Sequence, residues 1–127
     1  MILELDFCKL EFYDTYLIST IYEGVTVDQE KNNILLDIIL KYYKNNPYVY
    51  ISNRIYSYAV DPSIYVICSQ FESLLGFGVV TTEEIKKRNT ELEKMFYQKK
   101  FEVFDSLEVA VNWAKHYVEI TKSNLVK

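Results

Sequence analysis

Tyr48-Val49-Tyr50-Ile51-Ser52 is the stretch that decides the fold. It is short, rich in β-branched and aromatic residues, and apolar on both faces. Strands of this kind sit inside parallel sheets, where helices cover each face. A polar, tyrosine-rich loop follows from Asn53 to Val60, and Asp61-Pro62 opens a helix. Asp is a favoured N-cap, and Pro suits the first helical position because its missing N–H would be unpaired there anyway. Ile64, Cys68, Phe71 and Leu75 give that helix an apolar stripe, and Gly76 is expected to end it. Phe77-Gly78-Val79-Val80 then reads as a second doubly buried strand.

Toward the C-terminus, Thr81-x-x-Glu84 reads as a capping box for a weakly amphipathic helix anchored by Ile85, Leu92, Met95 and Phe96. Phe101 to Phe104 is the last strand. Asp105-x-x-Glu108 caps a final helix whose core side carries Leu107, Ala110, Val111, Ala114 and Val118, with fraying expected from Thr121. Toward the N-terminus, Thr26-x-x-Gln29 reads as another capping box. It opens a helix with Ile34, Leu35, Ile38 and Tyr42 as its stripe, stopped by Asn45-Asn46-Pro47. Before it, period-two alternation through residues 1–24 reads as one antiparallel hairpin. The hairpin has an irregularity near Cys8, a turn at Tyr13-Asp14-Thr15 and an end at Gly24.

The order is therefore ββαβαβαβα in a single domain, residues 1–127. This predicts an α/β fold: a mixed, mainly parallel five-stranded sheet flanked by helices. Trp113, Tyr117 and Ile120 form a second apolar edge on the last helix. That edge is expected to pack on the third helix or on a partner subunit in a homodimer.

Composition narrows the function. The chain has 18 acidic and 14 basic residues, and Lys86-Lys87-Arg88 is interleaved with glutamates, so nucleic acid is not an expected partner. No run approaches a membrane span, and the acidic start does not resemble a signal peptide. A cytoplasmic location is the resulting expectation. Cys8 and Cys68 lack metal or redox spacing and read as small buried hydrophobes. The 12 tyrosines and 7 phenylalanines are read as a compositional habit rather than a binding surface.

The element order, together with Phe101-Glu102-Val103-Phe104-Asp105-Ser106-Leu107-Glu108-Val109-Ala110-Val111-Asn112-Trp113, resembles the STAS superfamily in its SpoIIAA-like branch. This is the fold of sulphate-transporter domains and anti-sigma-factor antagonists. The resemblance spans roughly residues 9–118. It implies a regulatory or protein-interaction module. In the antagonists, a Ser directly after an Asp at the start of the second helix is phosphorylated. The matching place here reads Asp61-Pro62-Ser63, where Pro62 separates the pair, so the switch does not carry over. Some relatives have been likened to lipid-binding folds.

Catalytic chemistry finds little support. His116 is the sole histidine and lacks ligand spacing around it, so no metal is expected. There is no nucleophile elbow, Walker loop or dinucleotide fingerprint, so neither an enzyme nor a cofactor is expected. Glu83-Glu84 and Glu91-x-Glu93 read as solvated surface. The remaining candidate is the loop after the central strand, with Asn53, Arg54, Tyr56, Ser57, Tyr58 and Asp61 as binding residues. Loops at the carboxyl ends of strands receive ligands in open α/β sheets. Arg54 would hold an anion or an acidic partner, and the tyrosines would form a wall. The alternative is that Asn53 and Arg54 tie the loop down while the tyrosines cover a core edge. The first functional reading is a non-catalytic interaction module with an unknown protein partner. The second is a carrier of a small apolar or anionic molecule, or of a lipid, which would need an apolar cavity of several hundred Å³ near Tyr56.

Overall fold

The computed structural model describes residues 1–97 and 99–126. Six strands form the main sheet: β1 (Ile2–Glu4), β2 (Cys8–Phe12), β3 (Tyr16–Ile21), β5 (Tyr48–Asn53), β7 (Leu74–Val80) and β8 (Lys100–Phe104). They lie in that order across the sheet. The pairs β1·β2 and β2·β3 are antiparallel, and β3·β5, β5·β7 and β7·β8 are parallel. A separate parallel pair joins β4 (Thr26–Val27) to β6 (Ala59–Val60). The α/β class and the mixed, mainly parallel sheet agree with the expectation. The strand count does not. The irregularity near Cys8 is a turn between two strands, so the opening segment is a three-stranded meander.

Three helices pack on one face of the sheet and one on the other. α1 (Gln29–Tyr43) contributes Leu35, Ile39 and Tyr43, and α2 (Ser63–Cys68) contributes Ile64, Tyr65 and Cys68. Tyr97, just beyond α3 (Glu84–Lys94), joins the same layer. α4 (Leu107–Val126) lays Ala110, Ala114 and Val118 on the opposite face, over Ile18, Val49, Ile51 and Val80. Along β5, Tyr48 faces the first layer and Val49 and Ile51 the second, so the central strand is apolar on both sides.

Several helix boundaries differ from the sequence reading, each for a local reason. Thr26 belongs to β4, and the cap of α1 is Asp28, whose carboxylate accepts from the Lys31 N–H at 3.0 Å. The buried stripe of α1 is Asn32, Leu35, Ile39 and Tyr43, one residue later than expected, and Ile34 and Tyr42 face outward. The Tyr43 hydroxyl explains the shift. Its single proton is shared between the carbonyls of Tyr13 and Tyr16, at 2.8 and 2.6 Å, and anchors the helix end to the β2–β3 turn. α2 is only six residues long, so Phe71 and Leu75 fall outside it and Gly76 lies within β7. Neither Thr81 nor Asp105 caps a helix. Thr81 is buried beyond β7, and Asp105 pairs with Lys87 at 2.6 Å. Ser106 takes the capping role for α4, its Oγ accepting from the Val109 N–H at 3.3 Å. That helix continues past Thr121 to Val126.

Trp113 packs on its own sheet. Its ring lies against β7, where a Cβ built at Gly78 would stand 3.1 Å from the indole, and it meets Phe104 at a centroid distance of 5.1 Å. The two glycines of β7 therefore make a flat floor for the indole. Of the expected anchors, Leu92 in α3 and Met95 and Phe96 just beyond it are exposed, while Thr90 and Glu93 of α3 and the following Tyr97 are buried. The fourth expected anchor, Ile85, lies outside the described residues as far as its side chain is concerned. Cys8 and Cys68 are free and buried, and burial pushes the Cys8 thiol up to about 12.

Candidate functional site

β5 ends at Asn53, where its parallel pairing with β7 reaches Val80. The chain then leaves the sheet between α2 and α3. Its first residue beyond the strand is Arg54, held to the sheet by its N–H bond to the Val80 carbonyl at 3.0 Å. The Arg54 side chain turns inward. Nη1 donates to Glu93 Oε1 at 2.9 Å, and Nη2 donates to Glu93 Oε2 at 2.6 Å. Nε donates to Ser52 Oγ and Nη2 to the Tyr65 hydroxyl, both at 3.2 Å. The guanidinium also lies 5.3 Å from the Tyr58 ring centroid. Tyr65 donates in turn to Glu93 at 2.9 Å, and Tyr58 shares a 2.7 Å hydrogen bond with Ser52.

This network joins β5, the loop, α2 and α3 through one bidentate ion pair. Both partners are buried, with Arg54 at 9 % and Glu93 at 8 % exposure. Burial by itself lowers the guanidinium pKa, but Tyr58, Tyr65 and Glu93 outweigh it and hold the charge in place. Burial raises the pKa of Tyr65, which stays a neutral donor. The expected anion grip of Arg54 is thus already taken up by an internal carboxylate. Glu93, read from the sequence as solvated surface, is that counter-charge. The only sequence signal for it is the spacing of Thr90, Glu93 and Tyr97, which puts all three on the inner side of α3.

Above the pair lies an open hollow of about 450 Å³. Arg54 and Glu93 form its floor, Tyr56, Ser57 and Tyr58 one wall, and Leu92 and Glu83 part of the other. Four expected site residues therefore meet at the hollow: Arg54, Tyr56, Ser57 and Tyr58. Asn53 and Asp61 stand apart from its lining. Asp61 stands one residue before Pro62, the N-cap of α2, rather than in the cap position itself, and its Oδ1 accepts from the Ser63 N–H at 3.0 Å and the Ser63 hydroxyl at 2.9 Å. The loop is tied to the end of β3 by the Gly24 N–H bond to the Ser57 carbonyl at 2.8 Å. Gly24 has φ near +78°, which other residues adopt only with strain. The Ser57 N–H donates to Glu23 at 3.2 Å. Two large apolar side chains in its lining remain open to solvent, Tyr56 at 39 % and Leu92 at 55 %.

Among the described residues no group of three or more His, Cys, Asp or Glu converges as a metal site, and no helix is long and apolar enough to cross a membrane. Comparison of the chain with family models, curated proteins and solved structures returned no match.

Proposed function

We propose that this chain is a STAS-like, non-catalytic regulatory or protein-interaction module that receives a protein partner at the hollow beside Tyr56 and Leu92. The observation that carries the reading is the placement of two exposed apolar side chains beside a rigid, charge-neutralised floor. Interface hot spots combine an aromatic anchor with a preorganised surround, and Tyr is among the residues that serve best. The internal Arg54–Glu93 pair also alters the expected partner chemistry. A partner would gain from apolar contact with Tyr56 and Leu92 and from hydrogen bonds with the loop, not from a carboxylate placed on Arg54.

The carrier reading is the weaker alternative. The largely apolar cavity in the core measures about 40 Å³, well below the roughly 300 Å³ at which drug-sized ligand pockets begin. The larger hollow is open and mixed in polarity.

A photo-crosslinking residue at position 56, used in cells, tests the proposal. It should yield one discrete adduct, and the purified partner should bind the parent at least tenfold more tightly than Leu92→Glu. Equal binding by parent and variant, or adducts only from control positions on α4, would overturn it.

A further inference from the structure

β1 closes one end of the main sheet, and among the described residues no strand lies on its outer side. The ladder to β2 fixes which backbone groups are left over. The Leu5 N–H bonds to the Cys8 carbonyl and the Phe12 N–H to the Met1 carbonyl, both at 2.8 Å, so Met1, Leu3 and Leu5 turn their backbone toward β2. Ile2 and Glu4 therefore point their N–H and C=O groups away from the sheet. Such an edge is a template for another strand unless something blunts it. β1 has its shortness and the charge of Glu4, but no proline, lysine or bulge.

An apolar helix flank lies beside this edge. Ile34, Ile38 and Tyr42 recur every four positions along α1, yet the buried side of that helix is Asn32, Leu35, Ile39 and Tyr43. Ile34 and Tyr42 are exposed, and Ile38 is half-buried. The flank runs along the β1–β2 hairpin. Ile34 borders Leu5 and Phe7 across an open groove, and the Tyr42 ring meets Phe12 of β2 at a centroid distance of 4.5 Å. Leu3 and Leu5 face the same side, since Leu3 pairs with the core residue Leu10. Edge and flank thus form one shelf, with unpaired backbone along its rim and an apolar wall behind it.

We propose that this shelf is a homodimer interface, in which β1 pairs antiparallel with β1 of a second copy about a two-fold axis at Leu3. The occupant follows from what fits. A strand completing the edge must present apolar side chains at alternate positions to the helix side and place no carboxylate opposite Glu4. β1 itself meets both conditions. With the axis at Leu3, Ile2 of each copy lies opposite Glu4 of the other, and every free backbone group of both strands is paired. Leu3 then meets Leu3, and Met1 meets Leu5, on the helix side. An axis at Glu4 would set two carboxylates face to face, which is unfavourable, and an axis at Ile2 would leave Glu4 unpaired. The contact is isologous, so it closes at two copies. So short a strand pair is marginal alone, and the apolar flank supplies the rest. The shelf shares no residue with the hollow beside Tyr56, so this proposal does not depend on the partner reading.

Sedimentation velocity of the full chain, from about 5 µM to about 500 µM as small interfaces require, tests the proposal. The parent should pass from monomer to dimer across that range. Ile2 is 63 % exposed, so its substitution should leave the fold intact. Ile2→Glu sets a carboxylate opposite Glu4 of the second copy and should weaken the dimer at least tenfold. Ile2→Lys sets an ammonium there and should dimerise at least as tightly as the parent. Ile34→Glu, on the exposed helix flank, should weaken the dimer at least fivefold. A parent that stays monomeric to the highest concentration would overturn the proposal. So would a dimer that responds alike to Ile2→Glu and Ile2→Lys, or one that Ile34→Glu leaves unchanged.

Discussion

Replacing Glu93 by Gln is the most direct challenge to the description of the site. The substitution keeps shape and removes the charge that faces Arg54 across 2.6 and 2.9 Å. The guanidinium cannot shed its proton, so it stays buried with only Ser52, Tyr65 and one amide oxygen as neutral acceptors. Breaking one side of a buried pair costs about 3–5 kcal/mol, and the remaining neutral bonds place this variant near the lower end. A domain of this size has about 5–15 kcal/mol in total, so the loss is large but survivable. For a chain between the ~100- and ~150-residue benchmarks, it corresponds to a fall in Tm of roughly 10–15 °C. Arg54→Met combined with Glu93→Leu removes both charges and should recover most of the loss, because the desolvation cost disappears with them. Urea unfolding of parent, Arg54→Met, Glu93→Leu and the pair completes a double-mutant cycle, with an expected coupling of about 2–3 kcal/mol. A cost under ~1 kcal/mol for Glu93→Gln, with additive singles, would mean that water screens the pair as it does a surface bridge. The claim that the pair fixes α3 against the loop would then be wrong.

Gly78→Ala places a methyl 3.1 Å from the Trp113 ring and 3.5 Å from Phe104, and should lower stability by about 1–3 kcal/mol in urea unfolding. Adding Trp113→Leu should make the Gly78→Ala step nearly neutral, and an unchanged cost would refute the contact. Cys8 and Cys68 should both resist dithionitrobenzoate at pH 8 in the folded protein and react promptly in guanidinium, because burial raises both thiols and Cys8 reaches about 12. Since the unfolded Cys8 thiol ionises nearer 9, its contribution to stability is complete below that pH and is lost as pH rises toward 12. Fast labelling of either thiol in the native protein would contradict the burial.

The fold was legible wherever one local rule governed a segment. The two-sided apolarity of Tyr48–Ile51 needed only composition, and it placed β5 inside a parallel region covered by helices. The Tyr13-Asp14-Thr15 turn and the Pro47 stop were equally local. Errors arose where long-range contacts decided between near-equal local options. Thr26 and Asp28 are both acceptable caps, and the choice falls to Asp28 because Val27 is drawn into pairing with Val60. The stripe of α1 could rotate by one residue because Tyr42 and Tyr43 are chemically alike. Only Tyr43 reaches the two carbonyls of the β2–β3 turn. Gly76 looked like a helix end because the backbone that crowds it, the Lys100 carbonyl of β8, lies 24 positions later.

The site shows the same division more sharply. Sequence pattern located the loop, because a polar, aromatic segment after a buried strand is easy to see. It could not reveal that Arg54 points inward, because its counter-charge lies 39 positions away among other glutamates. That pairing changes the chemistry the loop offers. An anion approaching Arg54 would compete with Glu93, which already makes two charge-assisted hydrogen bonds at fixed geometry, and would have to lose its own hydration to do so. The pair instead presents a neutral, rigid floor. Under the proposed reading, rigidity there would limit the ordering that Tyr56 and Ser57 undergo on binding a partner, which is how a small contact gains affinity. On the same reading, Arg54 would act on recognition through the position of the loop. Tyr56 and Leu92, which the ion pair leaves exposed, are the side chains whose substitution should separate binding from folding.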